Sequence, residues 1–218
     1  MSLREELANI VGGENVIDDP EVLQSFASDL SFVPPRKPWY VVRPANTEEV
    51  QGLVNWANKT QTPLVPVSSA PPRFRGDTVP RLGGVIVDMS RMSRIIRVDR
   101  RNRVCMIEAG VRFNQLQPEL ENEGLRMLMP LCPRGSKSVL VSHLEREPIT
   151  VPKYHWDYPD PLLNTEIIFG TGELMRTGDA AGPGSLEEQW AAGGAQKTPY
   201  GPAQVDYYRI VTGAQGTM

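Results

Sequence analysis

The stretch Pro63–Arg91, PLVPVSSAPPRFRGDTVPRLGGVIVDMSR, leaves this chain little freedom in how it can be laid out. A short apolar run, Leu64, Val65 and Val67, enters a loop of small residues and arginines, and a second run, Val85 to Val87, leaves it. Runs this short, rich in β-branched residues and bounded by proline and glycine, predict strands. A loop of small residues between two strands lets backbone amides approach a ligand closely, because no bulky side chain stands in the way. Arg73, Arg75 and Arg81 bring positive charge to the same loop and point to an anionic group such as a pyrophosphate. The alternative is an ordinary surface loop with a few solvated arginines.

The elements around this stretch follow from local pattern. Residues 3–11 and 20–28 read as two short helices, the second opened by Asp19-Pro20. A strand from Trp39 to Arg43 follows the link Val33-Pro34-Pro35. In Asn46–Thr60, Val50, Leu53, Val54 and Ala57 recur at helical spacing, and Asn46 with Glu49 forms a capping box. Strand, helix, strand and strand in that order predict a small parallel or mixed sheet. Further on, Ile95–Val98 and Val104–Ile107 flank a solvated arginine turn and read as a hairpin. Gly110 ends the second of these strands and permits close approach of a backbone or a ligand. Phe113, Leu116 and Leu120 outline a helix stopping at Gly124, with Pro118 as a local defect. Ser138–Glu145 reads as a short helix, Glu166–Gly170 and Glu173–Gly178 as a second hairpin, Ser185–Ala192 as a helix and Tyr207–Val211 as a closing apolar run.

Composition narrows the class. With 218 residues, 40% of them hydrophobic, the chain can bury a real core. A net charge of −3 argues against wholesale nucleic-acid binding. The two cysteines, Cys105 and Cys132, show no metal-ligand or disulfide spacing. No run approaches a membrane span and the N-terminus lacks a signal-peptide core, so a cytoplasmic protein is the default expectation. The Gly-rich ending GAQGTM after an apolar run suggests a truncated chain.

The order of segments then carries a resemblance. Pro44-x-x-Thr-Glu-Glu-Val, the loop at 66–80, GGVIVDMSRM (83–92), IEAGVRFNQLQ (107–117), EIIFGTGELMRTG (166–178) and GAQGT (213–217) follow one another as in the FAD-binding domain of the vanillyl-alcohol oxidase and p-cresol methylhydroxylase flavoproteins, which include FAD-linked glycolate and D-lactate dehydrogenases. The chain resembles that family over roughly residues 38–218. The resemblance implies an α+β fold of two lobes holding FAD, a small α/β N-terminal lobe and a larger lobe with an antiparallel sheet and flanking helices. It assigns 1–38 to N-terminal helices and linker, 39–92 to the first lobe and 93–218 to the second, with the C-terminal substrate domain absent.

By the same resemblance, Val67, Ser68, Ser69, Ala70, Pro71, Pro72, Arg73, Phe74 and Arg75 occupy the pyrophosphate loop. Gly110, Pro130, Ser136, Ser138, Leu140, Val141 and Ser142 fall beside the flavin or its ribityl chain. Two departures stand out. The loop reads SSAPPRFRG where relatives carry glycine and threonine, and its prolines cannot donate N–H bonds, so Arg73, Arg75 and the serine hydroxyls are expected to serve instead. The second segment reads Ser138-Val139-Leu140-Val141 in place of Thr-Val-Gly-Gly.

Residues 145–161 replace a Gly-rich region of the relatives, and His155 sits there among Tyr154, Trp156, Asp157 and Tyr158, a cluster suited to a planar ligand or to plain core cover. No loop histidine stands where some relatives attach the cofactor covalently, so non-covalent FAD is expected. The implied function is the FAD-binding part of an oxidoreductase that accepts a hydride from a small-molecule substrate, a hydroxy acid or an aromatic alcohol. The alternative is a non-catalytic scaffold of the same fold with impaired FAD binding. Assembly as a homo-oligomer or with a partner subunit stays open, and no catalytic residue is assigned.

Overall fold

Short β-branched runs become strands only by pairing with a neighbour, and here each finds one. The computed structural model describes residues 2–127, 129–130, 134–145, 162–177, 184–191 and 211. Its elements are α1 (Leu3–Val11), β1 (Val16–Ile17), α2 (Pro20–Ser25), β2 (Tyr40–Val42), α3 (Thr47–Thr60), β3 (Leu64–Val67), β4 (Val85–Asp88), β5 (Ile95–Asp99), β6 (Val104–Ile107), α4 (Phe113–Asn122), α5 (Val139–Leu144), β7 (Glu166–Ile168), β8 (Leu174–Arg176) and α6 (Leu186–Ala191). By internal packing the chain divides into two units, Met1–Met127 with Pro133–Val141, and Leu128–Cys132 with Ser142–Met218. The whole is α+β.

In the first unit a four-stranded sheet runs in the order β1-β2-β4-β3. β2, β4 and β3 are parallel, and β1 pairs antiparallel with β2. β4 is central and every residue of it is buried, as a strand covered on both faces must be. Alternation sorts the side chains. Val42, Val85 and Val87 join Leu7 and Val11 of α1 and Leu53, Trp56 and Ala57 of α3 on one face. Val41, Ile86 and Val67 join Phe26, just past α2, on the other. The N-terminal helices are therefore part of this core. The Trp56 indole donates to Glu6 at 2.8 Å and ties α3 to α1.

The helix starts follow their capping residues. Asn46 accepts the Glu49 amide at 2.9 Å, and Asp19 accepts those of Glu21 and Val22 ahead of Pro20. Two elements differ from expectation. α2 ends at Ser25 rather than 28, because Phe26 turns into the core. β1 was not anticipated, being only two residues long. As expected, α4 runs through Pro118 and stops just before Gly124, held by its buried stripe Phe113, Leu116 and Leu120 despite the hydrogen bond the proline forfeits. β5 and β6 form the expected hairpin in the first unit, and β7 and β8 the one in the second, where Arg176 pairs with Glu166 at 2.6 Å. The run Tyr207–Val211 lies outside the described residues apart from Val211.

Candidate cofactor site at the junction of two loops

The loop that leaves β3 and the segment that enters α5 are about 65 residues apart in sequence and bonded to each other in space. The Ala70 amide donates to the Ser136 carbonyl at 2.9 Å, and the Ser138 amide donates to Ser69 Oγ at 3.0 Å. Arg134 adds a third tie, with Nη1 donating to the Pro72 carbonyl at 2.6 Å and the guanidinium lying 4.5 Å from the centroid of the Phe74 ring. Ser138 is wholly buried; its hydroxyl donates to the Ala109 carbonyl at 2.7 Å and accepts from the Val141 amide, which starts α5. The same segment runs along the start of α4, through Val139 N–H to Val111 O, Phe113 N–H to Lys137 O and Asn114 N–H to Gly135 O.

Ser69 and Ala70 are thus brought against Ser138 and Ser136, with Ser68 next in the chain, while Leu140 and Val141 follow on in α5. Val67 is buried in the sheet, and Pro71 and Pro72 are exposed across a cis peptide. Pro130 and Ser142 are buried in the second unit, and His155 lies outside the described residues. Gly110 packs against the backbone of Met89 and Met92. Its amide donates to the Met92 carbonyl at 2.8 Å, and a side chain there would run into the carbonyls of Met89 and Met92. The glycine lets two backbones meet.

Arg73 departs furthest from its expected role as a phosphate donor. Only 7% exposed, it donates through Nη2 to the Ser25 carbonyl at 2.7 Å and lies 4.4 Å from the Phe26 ring centroid. Burial lowers its pKa, and Asp88, Asp29 and Asp77 oppose that shift. Asp29 in turn accepts the Gly76 amide, and Leu30 N–H donates to Arg73 O at 2.8 Å, so this half of the loop is bound to the segment after α2. The direction of the side chain depends on residues some 45 positions earlier, which no local pattern in the loop could indicate. Arg75 is exposed and engaged in the protein.

Arg134 was passed over in the sequence because it sits in a stretch that looked like plain loop. It is the arginine at the junction itself.

These observations test whether the residues suit a dinucleotide. The backbone of 70–72 has little to offer an anion, since the Ala70 amide is spent on Ser136 and the prolines have none. Side chains supply the donors instead. The hydroxyls of Ser68 and Ser136 are half-buried at the junction and make no hydrogen bond among the described residues. They and the remaining N–H groups of Arg134 are donors of the kind a doubly charged pyrophosphate takes. Such a fit would run through hydroxyls and a guanidinium rather than through glycine amides. No group of His, Cys, Asp and Glu suited to a metal ion occurs among the described residues. No helix among them is long and apolar enough to cross a membrane.

Removing the Ser69 hydroxyl by Ser69→Ala strands a backbone donor at the junction, and the expected cost is about 1–2 kcal/mol of stability, readable in a denaturant titration. A change within error would show that water takes over the Ser138 amide.

The chain is similar to known flavoproteins. The FAD binding domain family matches residues 38–178. An uncharacterized FAD-linked oxidoreductase of Mycobacterium tuberculosis is 25% identical over 177 residues, 78% of this chain and 37% of that protein. The glycolate oxidase subunit GlcD of Bacillus subtilis is 22% identical over 218 residues, 99% of this chain and 42% of that protein. Among solved structures, p-cresol methylhydroxylase with substrate bound superposes with a TM-score of 0.76 at 21% identity, covering 96% of this chain and 39% of the other. The chain spans about two fifths of the length of these relatives.

Proposed function

The chain belongs to the FAD binding domain family, and on that premise we propose that it is the flavin-holding part of a longer, flavin-dependent oxidoreductase acting on a hydroxy acid or an aromatic alcohol. The observation that carries this reading is the loop junction, where Ser69 and Ala70 are bonded to Ser138 and Ser136. The Ser68 and Ser136 hydroxyls bind the pyrophosphate, Arg134 offsets its charge, and Ser138 orients both loops from its buried position. Ser69, Ala70, Pro71, Pro72 and Phe74 shape the wall of the site, and Leu140 and Val141 border the flavin. FAD, when bound, is held non-covalently and accepts a hydride from the substrate carbon. The substrate classes come from relatives that are named for glycolate and for p-cresol. Parts of the protein outside this domain supply the substrate pocket, and the protein works in the cytoplasm. Assembly with a partner subunit suits this reading, since GlcD is named as a subunit.

A second reading is a scaffold that keeps the fold without the cofactor. It is favoured by the internal use of the Ala70 and Ser138 amides, which a phosphate would otherwise receive. Titration of FAD into the full-length protein, followed by flavin fluorescence and by equilibrium dialysis, separates the two. The expected result is one FAD per chain. The double variant Ser68→Ala with Ser136→Ala should weaken that binding about tenfold or more through two lost charge-assisted bonds. A full-length, folded protein that binds no FAD would leave the scaffold reading.

A further inference from the structure

Apolar side chains left in water tend to mark a surface with a partner. In the first unit most of the large exposed ones fall on one ribbon made of two chain segments, 29–39 and 73–84. The segments are tied along their length, by Leu30 N–H to Arg73 O at 2.8 Å, Gly76 N–H to Asp29 Oδ2 at 2.5 Å, Arg36 Nη1 to Arg81 O at 3.1 Å and Trp39 N–H to Gly84 O at 2.7 Å. On this fixed support Phe32 is fully exposed, Leu82 is 75% and Leu30 68% exposed, and Trp39 and Phe74 are about half exposed. Pro34 and Pro35 are exposed between them.

The charge on the same ribbon is mostly positive. Arg36, Lys37, Arg75 and Arg81 are exposed, against the carboxylates of Asp29 and Asp77. This is a basic strip on a chain whose net charge is −3. Protruding leucine and aromatic side chains interspersed with lysine and arginine are the chemistry of a surface that lies on an anionic bilayer. The apolar groups enter the headgroup boundary and the cations meet lipid phosphates. A second copy of the chain is a poorer match, because self-pairing would bring Arg36, Lys37 and Arg81 against their own kind. A protein groove is also poorer, since Phe32 stands free instead of closing a concave wall.

We propose that this ribbon attaches the protein peripherally to an anionic membrane surface, with Leu30, Phe32 and Leu82 inserting and Arg36, Lys37 and Arg81 on the headgroups. Attachment is reversible, needs no spanning helix and is independent of FAD.

The test is co-sedimentation of the full-length protein with vesicles of phosphatidylcholine alone and of phosphatidylcholine mixed with phosphatidylglycerol. Binding is expected to the mixed vesicles only and should fall as salt rises. The triple variant Arg36→Glu, Lys37→Glu, Arg81→Glu should lower the partition constant about a hundredfold. The separate triple variant Leu30→Ser, Phe32→Ser, Leu82→Ser should abolish it at low lipid. All six side chains are exposed, so the serine variant should keep the circular dichroism spectrum and the Tm of the parent; the glutamate variant gives up one exposed tie, Arg36 to Arg81 O, and should keep the spectrum with a Tm a few degrees lower at most, and FAD content reports separately on the cofactor site. Failure of the parent to sediment with mixed vesicles would overturn the proposal. So would equal binding by parent and both variants, or light scattering that shows a stable dimer which the serine variant turns into a monomer.

Discussion

Replacing Gly110 by valine is expected to destabilise the first unit by about 3 kcal/mol or more and to abolish FAD retention with it. The reason is position rather than conformational freedom. The backbone at Gly110 does not need the left-handed region, yet a β-carbon there would overlap the carbonyls of Met89 and Met92, which are main-chain atoms with no side chain to move aside. The segment can yield only by moving away from Met92, whose carbonyl holds the Gly110 amide at 2.8 Å. That shift would travel. Ala109 O accepts the Ser138 hydroxyl, Val111 O accepts the Val139 amide, and Ser138 N–H is the donor that fixes Ser69. One glycine therefore holds a stack of four segments that ends at the cofactor loop. Gly13→Ala is the control, since nothing lies within 4 Å of its β-carbon position and it should cost well under about 1 kcal/mol. Denaturant unfolding of both variants, with flavin absorbance after desalting, makes the comparison. A Gly110→Val protein as stable as the Gly13→Ala control would refute the stack.

What the sequence made legible here is what local chemistry determines. Helix α3 was readable from a capping asparagine and an apolar stripe, and β3 and β4 from β-branched runs between prolines and glycines, because those signals lie within the element they specify. The two-residue β1 was not readable, since Val16 and Ile17 are a strand only through Val42 and Val41. Gly110 announced a close approach, but whether a ligand or a backbone approached was decided by Met89 and Met92. The arginines of the loop announced positive charge without direction. Asp29 and Ser25 draw Arg73 inward, while Arg134 arrives at the junction from a segment about 60 residues further on. The order of segments carried the family because it compresses many such long-range contacts into one pattern.

Arg73→Ala should cost about 3–5 kcal/mol of stability while leaving FAD affinity per folded molecule close to that of the parent. The guanidinium is buried, bonded to Ser25 O and attracted by Asp88, Asp29 and Asp77, so truncation strands a carbonyl, opens a cavity against Phe26 and removes a charge those carboxylates feel, although Asp88 keeps Arg43 at 2.9 Å. Had the side chain faced a phosphate, the same change would instead weaken the cofactor by about 1–3 kcal/mol and spare the fold. Arg73→Lys should recover part of the loss, because an ammonium restores charge but not the planar contact with Phe26 at 4.4 Å. Acid sensitivity gives an independent readout. Burial pushes the Asp29 carboxyl up, but the Ser31 hydroxyl and amide, the Gly76 amide and the charge of Arg73 together hold it below the ordinary value. A carboxylate held low contributes stability that is complete above its unfolded pKa of about 3.9 and is lost as pH falls through the lower folded one. Without Arg73 the folded value moves back up and that contribution shrinks. Parent and variant should therefore differ most in stability near neutral pH, with the gap narrowing as the solution is taken below about pH 4. A gap that widened on acidification, or a loss of FAD without loss of stability, would return Arg73 to the cofactor.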